Sequence, residues 1–169
     1  MNIPSSERLE KVYGESVESA ARFLALADHF KAKYGHEEAA FFSAPGRTEI
    51  IGNHTDHNGG KVIAGSIDLD TVGAAMPNNS NVIHITSEGY NQEIVVDIDA
   101  LDKVEKGGGT VALLAGMMEG AQKFGFKVGG FDAYVSTNVI AAAGVSSSAS
   151  FEMLVCTIVN DFFNDGAMS

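Results

Sequence analysis

The stretch from position 42 to position 60 places the tightest limits on how this chain can fold, and it reads FSAPGRTEIIGNHTDHNGG. Glycine and proline recur in it, and they let a backbone bend sharply and approach a ligand closely. The arginine, histidine, aspartate and asparagine side chains between them supply the donors and acceptors that a polyhydroxylated or phosphorylated ligand requires. Composition alone leaves two interpretations open: a binding segment of this kind, or a solvated polar turn on the surface.

The order of residues within this stretch favours the binding segment. Residues 46–57, GRTEIIGNHTDH, closely resemble the N-terminal signature of galactokinases. Galactokinases are members of the GHMP small-molecule kinase superfamily, and their signature usually reads Gly-Arg-x-Asn-x-Ile-Gly-Glu-His-x-Asp-Tyr. The chain departs from this pattern at Glu49, where asparagine is usual, at Asn53, where an acid is usual, and at His57, where tyrosine is usual.

The resemblance implies a sugar site. It assigns Arg47 to the reacting sugar hydroxyl, as a catalytic and substrate-binding residue, and gives the other hydroxyls to His54 and Asp56. Asn53 can join them through its amide, which forms hydrogen bonds but brings no charge. The spacing of His54 and His57 also permits a metal site, although the sequence shows no further ligand cluster to complete one.

A second motif lies at residues 140–150, IAAAGVSSSAS, directly before a long apolar helical pattern. Free N–H groups and the helix dipole attract an anion to such a helix start. The motif resembles the GHMP phosphate-binding segment, Pro-x-Gly-x-Gly-Leu-Ser-Ser-Ser-Ala. That resemblance implies a nucleotide phosphate site formed by Gly144, Ser146, Ser147 and Ser148, with Ser148 also a candidate ligand of Mg²⁺.

This second match is looser than the first. Ile140 replaces the proline and Ala142 replaces a glycine, and a β-carbon at Ala142 or Ala143 can crowd a phosphate or forbid a positive φ angle. The alternative is a run of serines that caps the helix, since serine is a favoured N-cap residue.

The net charge of −11 argues against a general attraction to nucleic acid or to an anionic membrane. An anionic ligand therefore requires a local site built from backbone N–H groups and a few cations. A single cysteine, Cys156, excludes an internal disulfide framework and fits a reducing compartment. The sequence shows neither a signal peptide nor an apolar run long enough to cross a membrane, so a cytoplasmic protein is expected.

Hydrophobic periodicity predicts the order of the secondary-structure elements. Helices are predicted at residues 16–34, 110–124 and 147–163, and strands at 39–44, 61–73, 82–86, 93–98 and 129–136. The first strand is expected to end in a turn at Pro45–Gly46, and strands 82–86 and 93–98 are expected to form a hairpin. This order indicates an α+β fold.

The resemblance makes the fold more specific. It implies the N-terminal domain of a GHMP kinase, an α/β sandwich of the ribosomal protein S5 domain 2-like type. Residues 1–169 are expected to form this one domain in incomplete form, with the sugar signature at 42–60, the phosphate motif at 140–150 and the C-terminal domain absent. The last helix is apolar nearly all round, and self-association through the surface that the missing domain leaves uncovered is expected.

The function implied is that of a galactokinase, which phosphorylates galactose at its C1 hydroxyl with ATP and Mg²⁺. In the family the catalytic aspartate follows the long helix, and no position of this chain matches it, so the chain alone is expected to have little or no turnover. Two alternatives remain: a galactose-sensing regulator with a kinase-like fold, and a GHMP kinase for another sugar such as N-acetylgalactosamine or arabinose.

Overall fold

The computed structural model describes residues 1–52, 58–105, 107–140 and 146–168. Four α-helices, five strands and one 3-10 helix are found in these ranges. The α-helices are α1 (Ser6–Tyr13), α2 (Val17–Tyr34), α3 (Gly109–Lys123) and α4 (Ser147–Asn164). The strands are β1 (Ala40–Ile51), β2 (Ile63–Pro77), β3 (Val82–Ser87), β4 (Ile94–Asp97) and β5 (Phe131–Thr137), and the 3-10 helix covers Ile98–Lys103.

The five strands form one sheet in the order β1-β2-β5-β3-β4. The β3–β5 pair is parallel, and the β1–β2, β2–β5 and β3–β4 pairs are antiparallel. The predicted hairpin of β3 and β4 is therefore confirmed.

Helices cover both faces of this sheet, because successive strand residues point to opposite sides. In β2, Val72 and Ala74 pack with Leu9 of α1 and Phe23 of α2. On the other face, Ala75 belongs to the larger core cluster that includes residues of α3 and α4. The prediction of an α+β sandwich of sheet and helices is confirmed.

Two local predictions differ from the structure. The turn expected at Pro45–Gly46 is wrong, since β1 continues through it to Ile51, paired with β2. Helix α1 was not predicted, because at eight residues it is too short for a helical period to stand out in the sequence.

The long helix α4 packs on β1 and β2, with Leu154, Val155, Ile158 and Val159 fully buried. Its exposed strip contains Met153, Thr157 and Asp161, so less apolar surface is uncovered than the all-round apolar pattern suggested. Among the residues described, no helix combines the length and the apolar character that crossing a bilayer demands.

Candidate functional site

The pairing of β1 and β2 is irregular beside Arg47. Pro45 pairs with Asp70 and Arg47 pairs with Ser66, so one residue of β1 faces three residues of β2 between these pairs. The extra residues belong to β2, which such an insertion bends. Strand β1 keeps its alternation of buried and exposed residues here, with Gly46 buried and Arg47 exposed. Arg47 therefore lies on the exposed face of β1, beside the bulge.

The guanidinium of Arg47 contacts two groups in the described part of the chain. Its Nε donates to Oγ of Ser146 across 3.3 Å. Its Nη2 lies 3.6 Å from Oε1 of Glu49, and the Arg47 side chain remains 44% exposed. The residue assigned to the sugar motif therefore touches the first serine of the phosphate motif.

Ser146 has an unusual backbone for a serine at a helix start. Its φ of 58° and ψ of 50° lie in the left-handed region, and its side chain forms no capping hydrogen bond. Non-glycine residues held in this region store about 1–3 kcal/mol of strain and are common at functional sites. The interpretation of the serine run as a helix cap therefore does not hold for Ser146, whose hydroxyl is turned to Arg47 instead.

Ser147 and Ser148 form the first turn of α4. The first N–H groups of a helix have no partner inside it, and together with the dipole they suit an anion. Both serines line a cavity of about 640 Å³, the hairpin cavity, whose other walls include Val111 of α3, Phe151 of α4 and the turn between β3 and β4.

A second cavity of about 840 Å³, the glycine cavity, lies next to Ser148 and is lined by Gly107–Gly109 at the start of α3. Its wall also carries the carboxyl groups of Glu105, Glu119 and Glu152. The hairpin cavity is lined by two glutamates, Glu88 and Glu93, so it is the less acidic of the two cavities.

Four of the predicted site residues lie outside the described residues: Asn53, His54, Asp56 and Gly144. Ala142, Ala143 and His57 do so as well. Within 1–52, 58–105, 107–140 and 146–168, no group of three or more His, Cys, Asp and Glu side chains is arranged to hold a metal ion. The roles proposed for Arg47, Ser146, Ser147 and Ser148 remain predictions.

Sequence reasoning missed a row of hydroxyl groups beneath this site. Ser150, with 1% of its surface exposed, and Thr71, with 2%, lie 2.7 Å apart through their hydroxyl oxygens. Ser150 also donates to the carbonyl oxygen of Ala44 across 2.7 Å, and Thr71 lies 2.8 Å from Oγ1 of Thr137. A threonine inside an apolar strand was the available signal for Thr71.

A buried carboxylate on β2 was missed as well. Asp70 is 5% exposed, and its carboxylate accepts from Nη1 of Arg22 across 2.5 Å. It also accepts hydrogen bonds from the hydroxyls of Tyr13, at 2.7 Å, and Ser43, at 2.6 Å. Burial raises the pKa of the Tyr13 phenol above its usual 10.0, so this hydroxyl stays protonated and able to donate. These contacts fasten α1 and α2 to β2 one residue before Thr71.

Comparison with known proteins places these features in a family. Residues 28–77 match the galactokinase galactose-binding signature. The chain is 35% identical over 152 residues to the galactokinase of Lactococcus lactis subsp. lactis, an alignment that covers 88% of this chain and 38% of that relative. It therefore spans little more than a third of the length of this relative.

Solved structures give the same result for the fold. A galactokinase of Lactococcus lactis, complexed with galactose, superposes with a TM-score of 0.76 at 32% identity, over 85% of this chain and 38% of that one. A mevalonate kinase superposes with a TM-score of 0.59 at 18% identity, over 74% of this chain and 41% of that one, which is a likeness of fold alone.

Proposed function

Because this chain belongs to the galactokinase family, we propose that it forms the N-terminal part of a kinase that phosphorylates galactose at the C1 hydroxyl with MgATP. The observation that carries this proposal is the contact between Arg47 and Ser146. It joins the motif assigned to the sugar with the motif assigned to the phosphates. A phosphoryl transfer needs its acceptor and its donor side by side.

In this proposal Arg47 stabilises the negative charge that develops as the C1 oxygen attacks the γ-phosphorus. A fixed cation in a partly desolvated site lowers the free energy of such a transition state and the pKa of the attacking hydroxyl. The new P–O bond forms as the bond to the leaving ADP oxygen breaks, and the hydroxyl proton passes to the aspartate that the family uses as its base, for which this sequence has no match. Asn53, His54 and Asp56 are proposed to orient the other hydroxyls.

We propose that the phosphates bind at the start of α4, through the N–H groups and hydroxyls of Ser147 and Ser148, with Ser146 and Gly144 completing the site. The donors present fit an anionic group, since the first N–H groups of this helix are free of intrahelical partners. The adenine base is proposed to occupy the hairpin cavity, whose Val111 and Phe151 offer apolar contact. Mg²⁺ keeps several water ligands, so one hydroxyl, that of Ser148, is sufficient protein contact for the ion that accompanies ATP.

No residue of the printed sequence matches the family's proton-accepting aspartate, so we propose that the 169-residue chain binds its ligands without turnover. The ligands are metabolites of the cytoplasm, where we propose that the protein acts.

We further propose self-association of the chain through apolar surface such as Met153, 57% exposed, and Ile140, 62% exposed. Sedimentation velocity tests this last point, and a monomer at all concentrations would contradict it.

Calorimetric titration of the 169-residue chain with galactose tests the sugar assignment. Galactose should bind, and its C4 epimer glucose should bind at least tenfold more weakly. N-acetylgalactosamine and arabinose form the other arms of the panel. If either of these sugars binds more tightly than galactose, that sugar becomes the proposed substrate. The absence of any sugar binding would overturn the proposal.

A further inference from the structure

We propose that a chain of three hydroxyl groups, on Thr137, Thr71 and Ser150, couples the sugar site to the nucleotide site, so that each ligand strengthens the binding of the other. This inference rests on the function proposed above. The three groups are positioning residues, because none of them is proposed to contact the reacting atoms.

A backbone group holds each of the two ends of this chain of hydroxyls. At one end the carbonyl oxygen of Ala44 can only accept, and Ser150 donates to it across 2.7 Å. At the other end the backbone N–H of Val139 can only donate, and it reaches Oγ1 of Thr137 across 3.1 Å.

The Ser150 hydroxyl is also placed to donate to Oγ1 of Thr71 across 2.7 Å, so its one proton is shared between Ala44 and Thr71. Oγ1 of Thr71 lies 2.8 Å from Oγ1 of Thr137, and either of these two hydroxyls can be the donor. The row therefore has more than one proton arrangement, and a ligand at either end can favour one of them.

One end of this row belongs to the nucleotide side. Thr71, Thr137 and Val139 all line the hairpin cavity, which we assign to the adenine base. Val139 and Ile140 also lead directly into residues 141–145 of the phosphate motif. A ligand in the cavity therefore lies beside Thr137, the exposed end of the row, with the buried Thr71 behind it.

The other end belongs to the sugar side. Ala44 lies on the same strand as Arg47, three residues before it. Ser150 reaches Arg47 by a second route too, since its N–H donates to the carbonyl oxygen of Ser146 across 3.0 Å, and the Ser146 hydroxyl contacts Arg47. Ser150 is thus linked to Arg47 both through Ala44 along β1 and through Ser146.

These links give a physical reason for cooperativity. A ligand at one site selects one proton arrangement of the row that the second ligand also requires, so the second ligand meets a lower ordering cost. The coupling works equally in both directions. We expect saturating MgADP to lower the Kd of galactose by about fivefold or more.

Titration of galactose with and without MgADP tests this in the wild-type chain and in Thr71→Val, which keeps the shape of the side chain and removes its hydroxyl. The ratio of the two galactose Kd values should fall towards one in Thr71→Val and return in Thr71→Ser. Thr86→Val is the matched control, because its hydroxyl pairs with Tyr34 on the opposite face of the sheet. It should keep the wild-type ratio.

The outcomes separate the two proposals. If the wild-type chain does not bind galactose, the proposed function fails, and this inference fails with it. If it binds both ligands but the ratio is one, or if the ratio is unchanged in Thr71→Val, only the coupling fails.

A measurement on the free chain guards against misfolding of the variant. The NMR cross-peak of the Arg47 Nε–H group should shift in Thr71→Val and stay in place in Thr86→Val, while thermal unfolding checks that both fold. A folded Thr71→Val with an unmoved Arg47 signal would overturn the link to the sugar site.

Discussion

Nε of Arg47 lies 3.3 Å from Oγ of Ser146, although 99 positions of sequence separate the two residues. Arg47 lies beside the bulge that follows Pro45, and Ser146 has a left-handed backbone. Both features are local distortions, and together they form one junction between two motifs.

Replacing Arg47 with lysine tests whether this junction depends on the guanidinium. Lysine keeps the charge but has no Nε–H donor and no planar fork. We expect Arg47→Lys to weaken galactose binding by about tenfold, which is about 1.4 kcal/mol, with little change in Tm because the side chain is 44% exposed. Calorimetry and thermal unfolding measure the two effects. Arg8→Lys on α1 is the matched control, and wild-type affinity in Arg47→Lys would count against the assignment.

A second prediction concerns the hairpin cavity. Val111 lines it and is 39% exposed on α3, so Val111→Arg should place a long side chain in the cavity at little cost in stability. We expect MgADP to bind about tenfold more weakly and the galactose affinity measured without nucleotide to stay unchanged. Val12→Arg makes the same exchange at a site on α1 that is 62% exposed, and it should bind MgADP as the wild type does. Equal MgADP affinity in both variants would contradict the proposal that the adenine base binds in this cavity.

The buried Asp70 is predicted to stabilise the fold. Asp70→Asn keeps the size of the side chain but leaves the charge of Arg22 without its partner. Because the Arg22 side chain is still 20% exposed, we expect a loss of about 2–3 kcal/mol, below the range for a fully buried pair. Urea denaturation measures this loss. Asp68→Asn, at an exposed position of the same strand, should change the free energy of unfolding by less than about 0.5 kcal/mol; similar losses in both variants would contradict the prediction.

Glu93 should make stability depend on pH in the acidic range. Burial by itself raises the pKa of its carboxyl, but hydrogen bonds from Tyr34 and Lys33 outweigh burial and hold the pKa below its usual 4.5. A lowered pKa in the folded state gives stability that is present above pH 4.5 and is lost as the pH falls through the folded value.

Glu93→Gln should therefore be about 0.5–1 kcal/mol less stable than the wild type at pH 7, a modest amount because the Glu93 side chain is 29% exposed. The difference should vanish as the pH falls below 4.5. Urea denaturation over a pH series measures it, with the exposed Glu38→Gln as control. A difference that stays constant with pH would exclude this carboxyl as its source.

Two glycines should respond to alanine in opposite ways. A β-carbon at Gly130 would lie 2.4 Å from the carbonyl oxygen of Ser80 and 2.6 Å from that of Val82, so Gly130→Ala should lose more than about 2 kcal/mol. A β-carbon at Gly120 on α3 meets no atom within 4 Å, and Gly120→Ala should gain about 0.5–1 kcal/mol. Thermal unfolding of the two variants measures both changes. Equal stability of the two variants would contradict the contacts around Gly130.

Much of the fold could be predicted from local sequence patterns. The apolar spacing of α2 and the glycine at position 35, which adopts a φ of 75° as its C-cap, are both visible in the sequence, and the helix ends where they predict. The β3–β4 hairpin was predicted from local patterns as well. The family could also be predicted, because the arginine, glycine and histidine pattern near residue 50 is long and ordered.

The course of β1 shows where prediction from the local sequence fails. Proline followed by glycine is a strong turn signal, yet β1 runs through Pro45 and Gly46. It does so because β2 pairs with β1 both before and after this dipeptide and accommodates the irregularity as a bulge. Local preferences are worth about 1 kcal/mol or less per residue, whereas a long strand pairing contributes many contacts, and the pairing prevails.

Local periodicity and ordered motifs were thus enough to specify most of the elements, the fold class and the family, since each of these depends on residues close together in the chain. The contacts Arg47–Ser146, Asp70–Arg22 and Ser150–Ala44 join residues that are 99, 48 and 106 positions apart. Nothing near either partner specifies such a contact. Folding of the sheet and its helices creates these contacts. Burial leaves Asp70 and Ser150 no partners except those that the packing brings within reach, and the packing of α4 on β1 brings Ser146 to the exposed Arg47.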